Sequence, residues 1–471
     1  MNRKEADVCM NSNETVAQQL AAFIGGLDYD HLSAEVTRWE KTLLLDQLGC
    51  QLIGSTVDWN QTAYRFITEN KSGGAATVVN YGNKVPVDDA VFVNGTFAQG
   101  CELDDYYDQG GGHPGAASVP VALALSEKEP VDGKRFLTAM AAGYEIGWRV
   151  GRGLLPEMMR RGYHAQGVVG VFIAAATAGK LLRLDNERMT HALAIAGSHA
   201  SGTMEYDQSG GEVKRVHNGM ACSGGMRSAM LAAMGLTGPP TIFEGERGIL
   251  KVFSGTCNTA PITEGLGSDS AVLHAAIKRF PVNASQHSPI ELLDDLLKKH
   301  KFSPNDVQKI EVGVNEAVTM HSGTIYEPTE VIEAQFSLRF SLALRVLKGS
   351  NDFKFYLDPK LWRDAEVLAL GKKIYLYPDP TAQKEKRFAC RMKITLAGGN
   401  VIDGYLPSPK GSFYNPLSQD EVREKFIRLG STVLSEDWLN SLIEKVDNIE
   451  KEEDTSRLAS LLSHQSEISR R

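Results

Sequence analysis

The sequence predicts a mainly α protein, a large helical-bundle domain built from both chain ends with a smaller α+β domain inserted. Three observations carry this reading. Apolar residues recur at three- and four-residue spacing through the first half, the texture changes near Ser268 to short alternating runs, and helical spacing returns at about Ser418. The expected boundaries are 1–267 and 410–471 for the helical domain and 268–409 for the insertion. A chain of 471 residues is longer than one compact core usually serves.

In chain order, helices are expected over residues 14–24 and 33–53; in the second, Val36, Leu43, Leu44, Leu48 and Leu52 share a face. Residues 114–126 are Ala-rich with Pro114 at the first turn, where a missing N–H costs nothing. Asp132 is placed to cap a helix over 134–150, with Gly151 just past its end. Residues 166–184 are small and apolar on nearly every side and read as a buried central helix. The stretches 189–201 and 220–236 repeat that character, so this half reads as a tightly packed bundle.

A helix over 271–279 opens the smaller domain. Strands are expected at the alternating Ile-Glu-Val-Gly-Val run of 310–314, inside the segment 307–318, and over 374–378 and 389–396, the last turning at Gly398-Gly399-Asn400 into a return strand over 401–405. Residues 334–348 keep helical spacing, and from Glu450 the chain becomes charged and is expected to fray.

Composition narrows the function. With 42% hydrophobic and 23% charged residues and a net charge of −8, the chain has the balance of a soluble globular protein and no basic arm for nucleic acid. The six cysteines (Cys9, Cys50, Cys101, Cys222, Cys257, Cys390) form no CxxC pair, which fits a reducing, cytoplasmic setting. The first fifteen residues are polar and lack the features of a signal or transit peptide. The longest nearly apolar stretch, 167–179, is too short to span a bilayer.

The densest chemical cluster is Gln99-Gly-Cys-Glu102-Leu-Asp104-Asp105-Tyr106-Tyr107-Asp108-Gln-Gly-Gly-Gly-His113-Pro114. Three consecutive glycines are costly to order and belong where a loop bends or a ligand approaches. His113 would then sit at a helix N-terminus, where free N–H groups favour a bound anion. The competing reading is a solvated acidic loop that caps a helix. A second group, Gly162-Tyr163-His164-Ala-Gln166, enters the buried helix; a lone histidine there could equally be a satisfied cap. A third, Gly210-Gly-Glu-Val-Lys214-Arg215-Val-His217-Asn218-Gly219, offers cations suited to a carboxylate, or else a basic surface turn. Lys278-Arg279-Phe280-Pro281 followed by His287 is the fourth.

There is no Gly-x-Ser-x-Gly elbow, no His-Glu-x-x-His and no dinucleotide fingerprint, and no Lys-Ser follows the glycine run. Asp104, Asp105, Asp108 and His113 match no standard metal motif, so no metal is assigned.

Together these groups resemble the MmgE/PrpD family of dehydratases and decarboxylases. The matching residues are Asn94-Gly95, Leu103-Asp104-Asp105, His113-Pro114, His164 with Gly167-Val168-Val169-Gly170, Ala194-Ile195-Ala196 with Ser198-His199, Lys214 with His217-Asn218-Gly219, Lys278-Arg279-Phe280-Pro281, His287, and Ala334-Gln335-Phe336-Ser337. The resemblance covers nearly the whole chain. It implies a helical domain with an α+β lid, a site between them, a homodimer, and no metal or organic cofactor. It further implies His113, His164, Lys214 and Asp104 as catalytic residues, and Glu102, Asp105, His217 and His287 as substrate-binding ones. Three departures stand out. Glu102 replaces the aspartate of the usual His-x-x-Asp opening, Tyr106 and the glycine run follow Asp-Asp where the decarboxylases have threonine, and the lid tyrosine of the decarboxylases falls near Thr319, with Tyr326 close by.

The activity that follows is a cofactor-independent lyase for a small di- or tricarboxylate, working by proton abstraction next to a carboxylate. An epimerase of a dicarboxylate such as an iminodisuccinate-like acid is the alternative. A non-catalytic carboxylate-binding protein is the third reading.

Overall fold

The computed structural model describes residues 14–70, 73–385 and 388–463; Cys9, nearly all of the polar first fifteen residues and residues 464–471 lie outside them. The fold is mainly helical, with two cores. The larger draws on apolar residues between Val16 and Ile277 and again between Leu417 and Leu462, and the smaller runs from Val282 to Ile402.

At the centre of the larger core lies the helix Ala165–Leu181, buried along its length except at Lys180. It packs between the helices Gly133–Leu154 and Val213–Ala233. Glycine is what permits the closeness. A Cβ on Gly225 would fall 2.2 Å from the Val171 carbonyl oxygen, and one on Gly167 would fall 2.1 Å from that of Ser201. Ahead of these come Val16–Gly26, Ala34–Gly54, Val87–Gln99 and Pro114–Lys128. Ser33 and Asp132 accept N–H bonds from Val36 and Arg135 at their helix starts.

The smaller core is built on a four-stranded sheet of β5 (Val307–Val314), β6 (Ile374–Pro378), β7 (Cys390–Leu396) and β8 (Val401–Leu406). Their order is β6-β5-β7-β8; β5 runs parallel to β6 and antiparallel to β7, and β7–β8 is the expected hairpin. The helix His287–His300 packs on β7 and β8, and Leu338–Lys348 packs on that helix. Two-stranded pairs complete the sheet content among the described residues: β1 (Ala76–Thr77) with β2 (Lys84–Val85), and β3 (Tyr106–Tyr107) with β4 (Ala275–Ala276).

Four expectations are corrected. Residues 271–279 form a 3-10 turn and then β4, because Ala275 and Ala276 pair with Tyr107 and Tyr106. Strand β5 contains the expected 310–314 run and ends with it at Val314, where Asn315 caps the helix Glu316–Ser322. The helical stretch at 334–348 is broken at Ser337, whose hydroxyl caps the second piece. The chain does not fray from Glu450: Thr455 donates to the Val131 carbonyl at 2.9 Å, and Leu458, Ala459 and Leu462 are buried.

Gly151 lies inside its helix rather than beyond it, and its reason is packing: a Cβ there would sit 1.5 Å from the Gly110 carbonyl oxygen. A Gly151→Ala variant is expected to lose about 1–3 kcal/mol, since the loop carrying Gly110 must shift. A denaturant titration beside the parent checks this; unchanged stability would show that the loop yields freely.

Candidate active site

The acidic loop is shaped by what flanks it. Gly100 ends the helix Val87–Gln99, and Glu102 then takes a left-handed φ of 57°. The β3–β4 pairing carries the chain across the start of the smaller core and places Lys278 two residues beyond β4. Gly111 and Gly112, at φ 62° and 83°, turn the loop into the helix Pro114–Lys128, with His113 as its N-cap. A side-chain bridge holds this start. Gln166 accepts from the His113 N–H at 2.6 Å and donates to Asn218 Oδ1 at 2.5 Å, and Asn218 donates to the Gly95 and Ala116 carbonyls.

The loop is not solvated: Glu102, Asp104 and Asp105 are at most 1% exposed. The Glu102 carboxylate is ion-paired with Lys214, with Lys278 at 3.2 Å and with Arg215 at 3.5 Å. Lys278 also reaches Asp104 at 3.6 Å, and Asp104 Oδ2 lies 2.7 Å from His113 Nδ1. Burial alone would raise both carboxyls. The three cations outweigh it and hold Glu102 well below the usual carboxylate range; His113 and Lys278 bring Asp104 to about 2. Both are therefore ionised at neutral pH.

Lys214 and Arg215 occupy the first turn of the helix Val213–Ala233, which begins seven residues earlier than expected, so they are buried rather than on a surface turn. Arg215 donates to Gln335 at 2.6 Å, stacks 5.0 Å from the Trp59 ring, and keeps its buried Nε and Nη1 without a hydrogen-bond partner.

Four imidazoles stand around the cluster on different elements. His113 Nδ1 has the Asp105 carbonyl at 2.8 Å as well as the Asp104 carboxylate, so a proton belongs on Nδ1, and in the neutral imidazole the lone pair is on Nε2. His164 and His217 meet Nδ1 to Nδ1 at 3.0 Å, against the edge of Tyr206. Burial and then Lys214 push both pKa values down, His217 to about 4, so both are neutral. One must donate in that contact and the other accept, which leaves one Nε2 with a lone pair and the other with a proton. His287 is buried beside Phe280 with Nε2 unpartnered, and burial followed by Lys278 depresses its pKa.

Of the residues singled out from sequence, Glu102, Asp104, His113 and Lys214 form one connected network, and His164 and His217 adjoin it. Asp105 stands differently: it accepts from the Gly115 N–H at 3.0 Å and from Tyr144 at 2.7 Å, so the expected anion at this helix N-terminus is the protein's own. Thr319 and Tyr326 stand apart from the cluster; Thr319 bonds the Glu316 carbonyl, and Tyr326 is exposed on Arg339. Arg215, Lys278, Gln166, Gln335 and Asn218 lay inside the motifs quoted from sequence but were given no individual role, whereas Tyr206 carried no signal. Clefts of about 570 and 430 Å³, one lined by Tyr29, Arg38, Lys41 and Arg423 and the other by Lys134, Arg135, Lys180 and Arg183, lie away from this network. No described helix is long and apolar enough to cross a membrane.

The MmgE/PrpD N-terminal domain matches residues 18–261 and the MmgE/PrpD C-terminal domain residues 280–451. The chain is 28% identical to a cis-aconitate decarboxylase-like protein, oryM, of Aspergillus oryzae, over 95% of this chain and 97% of that one. It is 26% identical to the cis-aconitate decarboxylase of Aspergillus terreus, over 98% of each chain, and 28% identical to that of Homo sapiens, over 95% of each. With one family domain spanning more than half of the chain and the second most of the remainder, the protein belongs to the MmgE/PrpD family.

Proposed function

We propose that the protein is a carboxylate lyase that removes carbon dioxide or water from a small polycarboxylate, using its own side chains. The observation that carries this is the meeting of three buried cations, Lys214, Arg215 and Lys278, with the oriented Asp104–His113 pair. Cations in a dry site stabilise charge developing next to a carboxylate far better than they would in water. His113 Nε2, or the lone-pair Nε2 of the His164–His217 pair, is the proton carrier. For elimination it takes the proton next to the carboxylate, the C–H pair forms the double bond, and the leaving hydroxyl takes a proton from the imidazolium so formed or from the facing Nε2–H and departs as water. For decarboxylation the carbon–carbon bond to the departing carboxylate supplies the electron pair, carbon dioxide leaves, and an imidazole protonated on Nε2 delivers that proton to carbon.

The relatives' names favour decarboxylation, and the epimerase alternative finds no support among them. The test is incubation with cis-aconitate, citraconate, citrate and 2-methylcitrate in deuterated water, followed by NMR. One acid is expected to lose carbon dioxide or water, with deuterium entering at carbon when decarboxylation is the step. Recovery of every acid unchanged would contradict the proposal.

A further inference from the structure

Glu102 sits where a ligand's carboxylate would be expected. It is a non-glycine residue at φ 57°, a backbone conformation that L residues resist, at most 1% exposed, and ringed by Lys214, Lys278 and Arg215. Its length matters. An aspartate, shorter by roughly 1.5 Å, would not reach Lys214 and Lys278 from the same backbone position.

Imidazoles aside, the cations of this network are Lys214, Arg215 and Lys278 and its ionised carboxylates are Glu102 and Asp104, so at least one positive charge is uncompensated. The neighbouring Lys425 is paired with Asp46 at 2.6 Å and adds nothing to that surplus. Two buried donors without a hydrogen-bond partner, Nε and Nη1 of Arg215, belong to the same cluster, Nη1 meeting Glu102 only as an ion pair at 3.5 Å. One incoming carboxylate is neutralised by the surplus, and a second can draw a proton onto a facing imidazole. A third meets no cation that Glu102 has not already engaged, and burying an unpaired carboxylate costs several kcal/mol.

We propose that Glu102 is a specificity-determining residue whose carboxylate takes the place of one ligand carboxylate, so that the preferred acid carries two carboxylates rather than three. This rests on the carboxylate-lyase reading above and narrows its substrate class.

The experiment compares citraconate, a dicarboxylate, with cis-aconitate, a tricarboxylate, on the full chain and on two variants. Glu102→Gln removes the charge, and Glu102→Asp keeps it but withdraws it, so one stays informative should the other not fold. Dissociation constants come from calorimetry and KM from product NMR. The parent chain is expected to bind citraconate at least tenfold more tightly than cis-aconitate, and each folded variant to shift that ratio at least tenfold toward cis-aconitate. Because both acids meet the same fold, a general loss of structure would not move the ratio. A parent that prefers cis-aconitate, or variants that leave the ratio unmoved, would overturn the inference while leaving the lyase reading intact. Failure of every acid to bind or react would overturn both.

Discussion

Replacing Lys214 with methionine is expected to lower kcat/KM by about 100- to 1000-fold, the usual loss when one charge-stabilising donor leaves a dry site. It is also expected to cost about 3 kcal/mol of stability, the lower end for breaking a buried ion pair, because Lys278 and Arg215 stay beside Glu102. The two losses have different origins and can be separated. In the Lys214→Met, Glu102→Gln double variant the carboxylate that lost its nearest cation is gone too, so part of the stability should return while turnover stays low. Denaturant titrations and steady-state rates on the singles and the double give the comparison. Full turnover in the single variant would remove Lys214 from the chemistry.

The second large effect concerns pH and Asp105. Burial, with the nearby Asp104 charge acting in the same direction, lifts its carboxyl to about 7 despite the Tyr144 hydrogen bond. In the unfolded chain it titrates near 4. Between those values the folded state holds one proton more, so this group's contribution is fully present below pH 4. It is lost as pH rises through 7, by up to about 4 kcal/mol at roughly 1.4 kcal/mol per pH unit. His164, His217 and His287 act in the opposite sense. Their folded pKa values are depressed, so the stability they contribute is present above about 6.5 and lost as pH falls toward 4. The parent's own profile therefore blends the two trends, and the variant isolates one. Asp105→Asn cannot ionise and should gain on the parent steadily from pH 5 to pH 8 in paired melting experiments. A stability difference equal at the two ends would show that Asp105 is already ionised at pH 5.

How much of this was legible beforehand depends on the residue. The central helix and the β7–β8 hairpin follow from local pattern, since small apolar runs and a Gly-Gly-Asn turn have few other solutions. The 271–279 stretch was misread because its conformation is set by a strand pair with Tyr106 and Tyr107, about 170 residues away in sequence. The site was legible as a set of motifs but not as roles. Spacing named Glu102 and Lys214 separately, and nothing local says that one neutralises the other. Asp105 looked like its neighbour Asp104, yet one faces a helix N-terminus and the other a histidine. For Arg215 a carboxylate-binding cation and a basic surface turn stayed equally open, because its helix begins seven residues earlier than the small-residue pattern suggests.

The central claim is that the buried network around Lys214, and not a surface cleft, receives the carboxylate substrate. A crystal structure of the His113→Ala variant with citraconate tests it most directly, since loss of a proton carrier should trap the acid. The account predicts one ligand carboxylate within hydrogen-bond distance of Arg215 or Lys214 and the ligand's carbon skeleton facing His164. A ligand lodged instead among Arg38, Lys41 and Arg423, with the network around Glu102 undisturbed, would contradict it.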